Sequence, residues 1–132
     1  DAFWPGDLLA RTEVDRWAEW SKQNIALGFT TPVFWRVVRT PAAERDPQAI
    51  AAAVTALEQK LAIAEARLAG SRYLVGDTFT LADIQFGHVL YRYFAIDIPR
   101  RPLPHLAAYY ARLTARPAFR QHVMVSYDEL KV

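Results

Sequence analysis

The chain has 132 residues, of which 52% are hydrophobic and 23% charged, and it contains no cysteine. Its 16 basic and 14 acidic residues give a net charge of +2. Such a composition suits one globular domain spanning residues 1–132, and the absence of cysteine excludes a disulfide framework or a catalytic thiolate within the chain. There is no membrane-length apolar run, no basic stripe for phosphates and no signal-peptide pattern, so we expect no membrane role, no nucleic-acid partner and a cytoplasmic location.

A long helical segment is predicted in the first third of the chain. Asp7 can cap it, and apolar residues then recur at three- and four-residue spacing from Leu8 to Gly28. Pro32 lacks the amide proton that a helix interior uses, so residues 28–32 should interrupt or kink the helix before it continues over 33–39. We expect one long bent helix or two helices in series.

A second long helix is predicted to begin at Asp46 and Pro47, because aspartate is a good N-cap and proline suits the first helical position. Gly70 stands where a glycine stop is expected. The apolar positions between them recur every three or four residues: Ile50, Val54, Leu57, Leu61, Ala64 and Leu68. This helix should be amphipathic, with one face in the core.

Thr80 and Asp83 predict the start of a buried helix. The Thr80 side chain can accept from the amide of Asp83 while the Asp83 carboxylate reaches back to the amide of Thr80, which is a capping box with aspartate in the usual glutamate place. Phe79 and Ile84 occupy the staple positions around it. Leu81–Ala95 is apolar on almost every side, so we expect it to be the central helix. Capping explains Asp83 fully, and we assign it a structural role.

The last third predicts a stiff proline-rich loop over residues 98–104, an amphipathic helix that Arg116–Pro117 ends, and a short final helix through Phe119 to Val123. No strand, repeat or domain linker is predicted. No phosphate loop, nucleophile elbow or histidine pair at ligand spacing is present, so we predict no catalytic residue and no metal site in this chain. We expect His88 in the core, and His105 and His122 at or near the surface.

The first 35 residues carry an unusual aromatic load. One explanation is core packing together with a dimer face, and the alternative is that some of these side chains line an apolar ligand pocket. Trp20 and Asn24 are four residues apart and can share one helix face, where they offer stacking and hydrogen bonding. The aromatic residues in question are Trp4, Trp17, Trp20, Phe29, Phe34 and Trp35.

Three segments resemble successive signatures of the C-terminal domain of glutathione S-transferases: VDRWAEW at 14–20, GSRYLVGDTFTLADI at 70–84 and YARLTARPAF at 110–119. They occur in the family's order, and the second is specific because it joins a loop, a staple and a capping box before a buried helix. The resemblance implies an all-α, glutathione S-transferase C-terminal-like bundle of about five to six helices. It also implies that Trp4–Pro5 follows the linker from a thioredoxin-like domain.

In that family the thioredoxin-like domain binds glutathione and stabilises its thiolate, while the helical domain supplies a wall of the electrophile site and much of the dimer interface. The resemblance therefore implies glutathione as co-substrate, held mainly by a domain absent from this chain, a small apolar electrophile, and a homodimer. Trp20, Asn24 and Trp35 become candidate substrate-binding residues, with Tyr127 from the tail. Alone, the chain is expected to be inactive, since it lacks the group that lowers the pKa of the thiol.

Two rival hypotheses share this fold. Similar helical domains serve as non-catalytic assembly modules on translation factors and tRNA synthetases, and an aromatic pocket can store apolar molecules without turnover. Fold alone does not decide between them. A thioredoxin-like domain upstream would favour a detoxification enzyme, and a long extension beyond Val132 would favour the module. The richness in arginine and alanine fits a bacterial source.

Overall fold

The computed structural model describes residues 3–132. Helical backbone runs without a break over α1 (Leu8–Trp20), a π-helical segment (Ser21–Ala26), α2 (Leu27–Phe29), a second π-helical segment (Thr30–Trp35) and α3 (Arg36–Val38). We call this whole stretch the first rod. Its start is capped as predicted, because the Asp7 carboxylate accepts the amide of Ala10 at 2.8 Å.

Of the two π-helical segments, the second overlaps the interruption or kink predicted at residues 28–32, and the backbone stays helical through it. Pro32 lies inside the second of them, where wider turns accommodate a residue that has no amide proton to donate. The first segment was not predicted. Within it, Ser21 Oγ donates to the carbonyl of Trp17 at 2.8 Å and Asn24 Nδ2 donates to the carbonyl of Trp20 at 3.1 Å. Side chains that bind helix carbonyls in this way compete with the regular backbone ladder.

The second long helix is confirmed as α4 (Pro47–Ala69), which a short 3-10 turn at Ala42–Glu44 precedes. Asp46 caps it by accepting the amides of Gln48 and Ala49, both at 3.0 Å. Ile50, the first of the predicted apolar positions, is half-buried, and the other five are buried: Val54, Leu57, Leu61, Ala64 and Leu68.

The third long helix, α5 (Leu81–Ala95), is the central element, as predicted. Its buried side is Ala82, Asp83, Phe86, Gly87, Val89, Leu90 and Tyr93. A Cβ placed on Gly87 would lie 2.7 Å from Leu113 Cδ1 and 3.2 Å from a ring carbon of Phe119. Glycine at this position therefore lets the following helices approach α5 closely.

The capping box at Thr80 and Asp83 is present, and it is part of a larger buried network. Asp83 Oδ2 accepts the Thr80 amide at 2.8 Å and the Thr80 hydroxyl at 3.3 Å. Asp83 Oδ1 accepts the Leu74 amide at 3.1 Å and the Tyr109 hydroxyl at 2.8 Å. Burial raises the pKa of Asp83 above its ordinary value, although these four donors act in the opposite direction. One carboxylate thus joins the 70s loop, α5 and the next helix.

The chain ends with α6 (Pro104–Thr114), α7 (Pro117–His122) and a 3-10 turn at Asp128–Leu130. Glu65 of α4 caps α6 from outside, since its carboxylate accepts the amides of His105 at 3.0 Å and Leu106 at 2.7 Å. Extended pairing among residues 3–132 is confined to an isolated bridge between Tyr73 and Gly76. In the same part of the chain, no helix is both long and apolar enough to cross a membrane.

The expectation that His88 is a core residue is wrong. His88 is exposed on α5, and its Nδ1 lies 3.4 Å from the carbonyl oxygen of Ile84. The error has a physical cause: α5 is apolar on nearly every side, so the sequence does not show which face turns outward. Ile84, on the same side, is also 42% exposed. His105 and His122 are exposed, as expected.

Candidate functional site

A depression of about 260 Å³ lies between the first rod, α5 and the segment after α7. The rod contributes Phe29, Thr30 and Phe34, α5 contributes His88, Val89 and Arg92, and the C-terminal part contributes His122, Val123 and Val125. We call it the Arg92 pocket. Its volume lies slightly below the usual range for small-molecule sites, and its aromatic and aliphatic walls with a few polar groups have the composition of such sites.

Arg92 is the permanent charge of this pocket. Its guanidinium carbon lies 4.9 Å from the centre of the Phe34 ring and 5.8 Å from that of Tyr127. The half-buried guanidinium takes part in none of the side-chain hydrogen bonds or ion pairs found among residues 3–132. The two aromatic faces and the nearby C-terminus of α5 stabilise its positive charge.

Tyr127, the candidate from the tail, packs against this same wall. Its ring makes an edge contact with Phe34 at 5.4 Å and another with Tyr91 at 6.2 Å between centroids. The tail therefore folds back over the end of the first rod. Tyr127 also lines a neighbouring depression of about 280 Å³ with Val37, Val38, Arg45, Ala95, Ile96, Asp97, Lys131 and Val132.

Trp20 and Asn24 lie close together, but both are already engaged within the fold. The half-buried Trp20 ring makes an edge contact with Trp17 at 5.2 Å and a tilted contact with Phe86 at 6.0 Å. The Asn24 side-chain amide donates to the Trp20 carbonyl at 3.1 Å. This pair therefore stabilises the junction between α1 and the first π-helical segment.

Trp35 lies at the opposite end of the rod and is 44% exposed. The guanidinium carbon of Arg39 lies 4.8 Å from the centre of its ring. None of the depressions described in this section is lined by Trp20, Asn24 or Trp35. The structure thus places Tyr127 next to the Arg92 pocket and does not bring the four candidates together.

A second, more apolar depression adjoins the Arg92 pocket and has a volume of about 240 Å³. The two share His122 and Val123. Over Phe79 lies Arg116, whose guanidinium carbon is 3.8 Å from the ring centre. The remaining lining residues are Phe3, Ile84, Ala118 and Phe119. We call this depression the Phe79 pocket, and together the two form a continuous, mainly apolar surface beside α7.

Sequence reasoning missed most residues of the Arg92 pocket, because they come from three segments far apart in the chain. Phe29 and Phe34 were noticed only as part of the aromatic load. Arg92 is a basic residue in the otherwise apolar α5, and no role was predicted for it. The one available signal was a single basic residue in the last turn of α5, and that signal alone does not identify a site.

The fold and the site define a class: an all-helical domain with a buried capping box before its central helix and an aromatic-walled depression at one side. The family described as the glutathione S-transferase C-terminal domain matches residues 28–117. The chain belongs to this family. Glutathione S-transferase GstB of Escherichia coli is 32% identical over 123 residues, which are 93% of this chain and 59% of that protein.

Solved structures agree with this assignment. The theta class glutathione S-transferase of Xanthomonas axonopodis pv. citri, in its apo form, superposes with a TM-score of 0.90 at 45% identity, over 95% of this chain and 66% of that one. The same enzyme with glutathione bound gives a TM-score of 0.89 over 65% of its length. Glutathione S-transferase I with lactoylglutathione gives 0.76 at 27% identity, over 90% of this chain and 58% of that one. The chain thus spans less than two thirds of these relatives.

Proposed function

We propose that this chain is the electrophile-binding and dimer-forming part of a glutathione S-transferase, an enzyme that joins the glutathione thiolate to a small apolar electrophile. The observation that carries the proposal is the aromatic-walled Arg92 pocket, on a chain 45% identical to part of a transferase that has been solved with glutathione. A preformed apolar depression next to charged groups suits the binding of a small aromatic molecule.

In this proposal a thioredoxin-like domain outside the chain holds glutathione and supplies the tyrosine, serine or cysteine that stabilises its thiolate. The chain contributes the apolar wall. Phe29, Phe34 and Tyr127 would exclude water from the electrophile and hold its reactive carbon beside the sulfur, which favours the bimolecular step. Trp20, Asn24 and Trp35 remain proposed wall residues, further from the pocket. Without the thiolate-stabilising group, the chain alone would be inactive.

We also propose that the active assembly is a homodimer and that the enzyme serves detoxification in a bacterial cytoplasm. Exposed apolar side chains on the rod and on α4 support the dimer: Leu27 is 64% exposed and Ile63 is 51% exposed. Large exposed apolar residues on neighbouring helices are typical of protein interfaces when they form a patch. Sedimentation analysis of the full-length gene product would test the dimer directly.

The function is tested by glutathione conjugation with 1-chloro-2,4-dinitrobenzene, using the full-length gene product and this chain side by side. We expect activity in the longer protein and none in the chain. In the longer protein, Tyr127→Ala should raise the KM for the electrophile, because it removes part of the wall at Phe34. Leu9→Ala, at a 79% exposed position at the start of the rod, is the matched control and should leave KM unchanged. Absence of conjugation across several electrophiles would instead favour the assembly module.

A further inference from the structure

We propose that the Arg92 pocket selects ligands that carry a carboxylate or sulfonate on an aromatic body, with Arg92 binding the anion. The proposal rests on the proposed function only where it takes the ligand to be the electrophile. The preference for an anion concerns binding by this chain alone. It narrows the ligands of a mainly apolar pocket to aromatic acids.

Arg92 is the formally charged residue in the lining of the pocket, and its charge is positive. Of its nine lining residues, three have basic side chains, His88, Arg92 and His122, and none is acidic. The rod contributes the hydroxyl of Thr30 as a further polar group. A depression lined by one sign of charge between low-dielectric walls concentrates ligands of the opposite charge.

Arg92 has the geometry that anion binding requires. Its guanidinium is stacked near Phe34 and Tyr127, so the side chain is held in place and little conformational freedom is lost when a ligand binds. Within the described residues no carboxylate pairs with it and no carbonyl accepts from it, which leaves its five N–H donors available. A planar guanidinium binds a carboxylate through two parallel hydrogen bonds, which a neutral amide cannot match.

The walls select the other half of the ligand. Phe29 and Phe34 are buried aromatic residues, and their rings lie 5.9 Å apart in a tilted arrangement. Val89 and Val123 add aliphatic surface beside them. An aromatic body can pack here while its acidic group reaches Arg92. A small inorganic anion would leave these walls uncovered, so it should bind much more weakly.

The test compares naphthalene-2-carboxylate with naphthalene-2-carboxamide, which differ in charge and hardly in shape. Their affinities for this chain are measured by calorimetry at fixed ionic strength. We expect the acid to bind about tenfold more tightly than the amide, as one partly buried charge-assisted pair would give. Arg92→Gln should abolish this preference while leaving the amide affinity within about twofold.

Two further variants keep the test decisive. Arg39 also lies over an aromatic ring, that of Trp35, but outside the pocket. Arg39→Gln should therefore leave the preference for the acid intact. Arg92→Lys keeps the charge but not the planar fork, and should keep part of the preference even where Arg92→Gln fails to fold. Equal affinities for acid and amide in the parent chain, or a preference that survives in both Arg92 variants undiminished, would overturn the proposal.

The outcome is separable from that of the proposed function. Conjugation by the longer protein without any acid preference would refute the anion site and leave the transferase proposal intact. An acid preference that depends on Arg92, without conjugation of any electrophile, would support the anion site and refute the transferase proposal.

Discussion

Asp83→Ala should be the most damaging single polar substitution in this fold, well beyond the loss of an ordinary helix cap. The carboxylate accepts hydrogen bonds from Thr80, Leu74 and Tyr109, and it is 1% exposed. Losing the cap itself costs about 1 kcal/mol. The Leu74 amide and the Tyr109 hydroxyl would also be left buried without an acceptor, at about 1 kcal/mol each or more. The free energy of unfolding should therefore fall by about 3 kcal/mol.

Thr80→Ala and Tyr109→Phe are the matched comparisons. The amide of Asp83 already donates to the Thr80 backbone carbonyl at 3.0 Å, so removing the Thr80 hydroxyl should cost about 1 kcal/mol at most. Tyr109→Phe removes one donor and keeps the ring that stacks on Phe86, and should cost about 1 kcal/mol. Urea unfolding followed by circular dichroism gives all three values. If Asp83→Ala costs no more than Thr80→Ala, the links to Leu74 and Tyr109 contribute nothing and our account of the network fails.

The raised pKa of Asp83 adds a pH dependence of definite sign. Between its ordinary pKa and the raised folded value, the folded chain holds a proton that the unfolded chain has released. The contribution of Asp83 to stability is therefore fully present below the unfolded pKa and is lost as the pH rises through the folded pKa. Asp83→Asn does not titrate, so the stability of the parent relative to this variant should decrease as the pH rises across that window. An unchanging difference from pH 3 to pH 7 would contradict the assignment.

Two further predictions concern contacts between distant segments. Glu65→Gln should lower the free energy of unfolding by about 1 kcal/mol, because a neutral amide caps the N-terminus of α6 less well than a carboxylate. Glu44→Gln, on the exposed 3-10 turn, is the control and should change the free energy of unfolding by less than about 0.5 kcal/mol. Gly87→Ala should lower the free energy of unfolding by about 1–3 kcal/mol, because the new methyl group overpacks against Leu113 and Phe119, even though alanine is the better helix former. Gly70→Ala, with open space around it, is the control and should be nearly neutral. Urea unfolding measures both, and a stabilised Gly87→Ala would refute the close-packing argument.

The features that the sequence predicted are those whose cause is local. Each predicted helix cap is a hydrogen bond between a side chain and a backbone amide no more than three residues away, so the residue type and its position identify the cap. The caps are those of Asp7, Asp46 and the pair Thr80 and Asp83. The buried face of α4 follows in the same way from its spacing. Three segments support the resemblance to the transferase family, which the family match confirms, and the segment at 70–84 is the specific one because several such local features occur together there.

The features that were missed depend on contacts between segments far apart. Glu65 caps a helix 40 residues away, and Gly87 matters only because of Leu113 and Phe119. The Arg92 pocket likewise exists only after the rod, α5 and the tail have packed. His88 was misplaced for a related reason, since the outward face of a nearly all-apolar helix is fixed by its neighbours. Local rules therefore locate the helices, whereas the site requires the packed structure.

The structure separates folding from ligand recognition along α5, and this separation can be tested. Asp83 lies in its first turn and Arg92 in its last, nine residues apart in the sequence. At 1.5 Å per residue, the two positions are about 14 Å apart along the helix axis. No hydrogen-bond partner of Asp83 lines the Arg92 pocket. Substitutions at such a distance without shared partners usually have additive effects.

We therefore expect Asp83→Asn to lower stability without changing the preference for naphthalene-2-carboxylate, and Arg92→Gln to abolish the preference with a smaller effect on stability. In the double variant the two losses of unfolding free energy should add to within about 0.5 kcal/mol. Affinities are measured at a temperature where every variant is folded, so that a lower folded fraction does not imitate weaker binding. A change of the acid preference in Asp83→Asn would mean that the two ends of α5 are coupled, and that the pocket depends on the capping network for its shape.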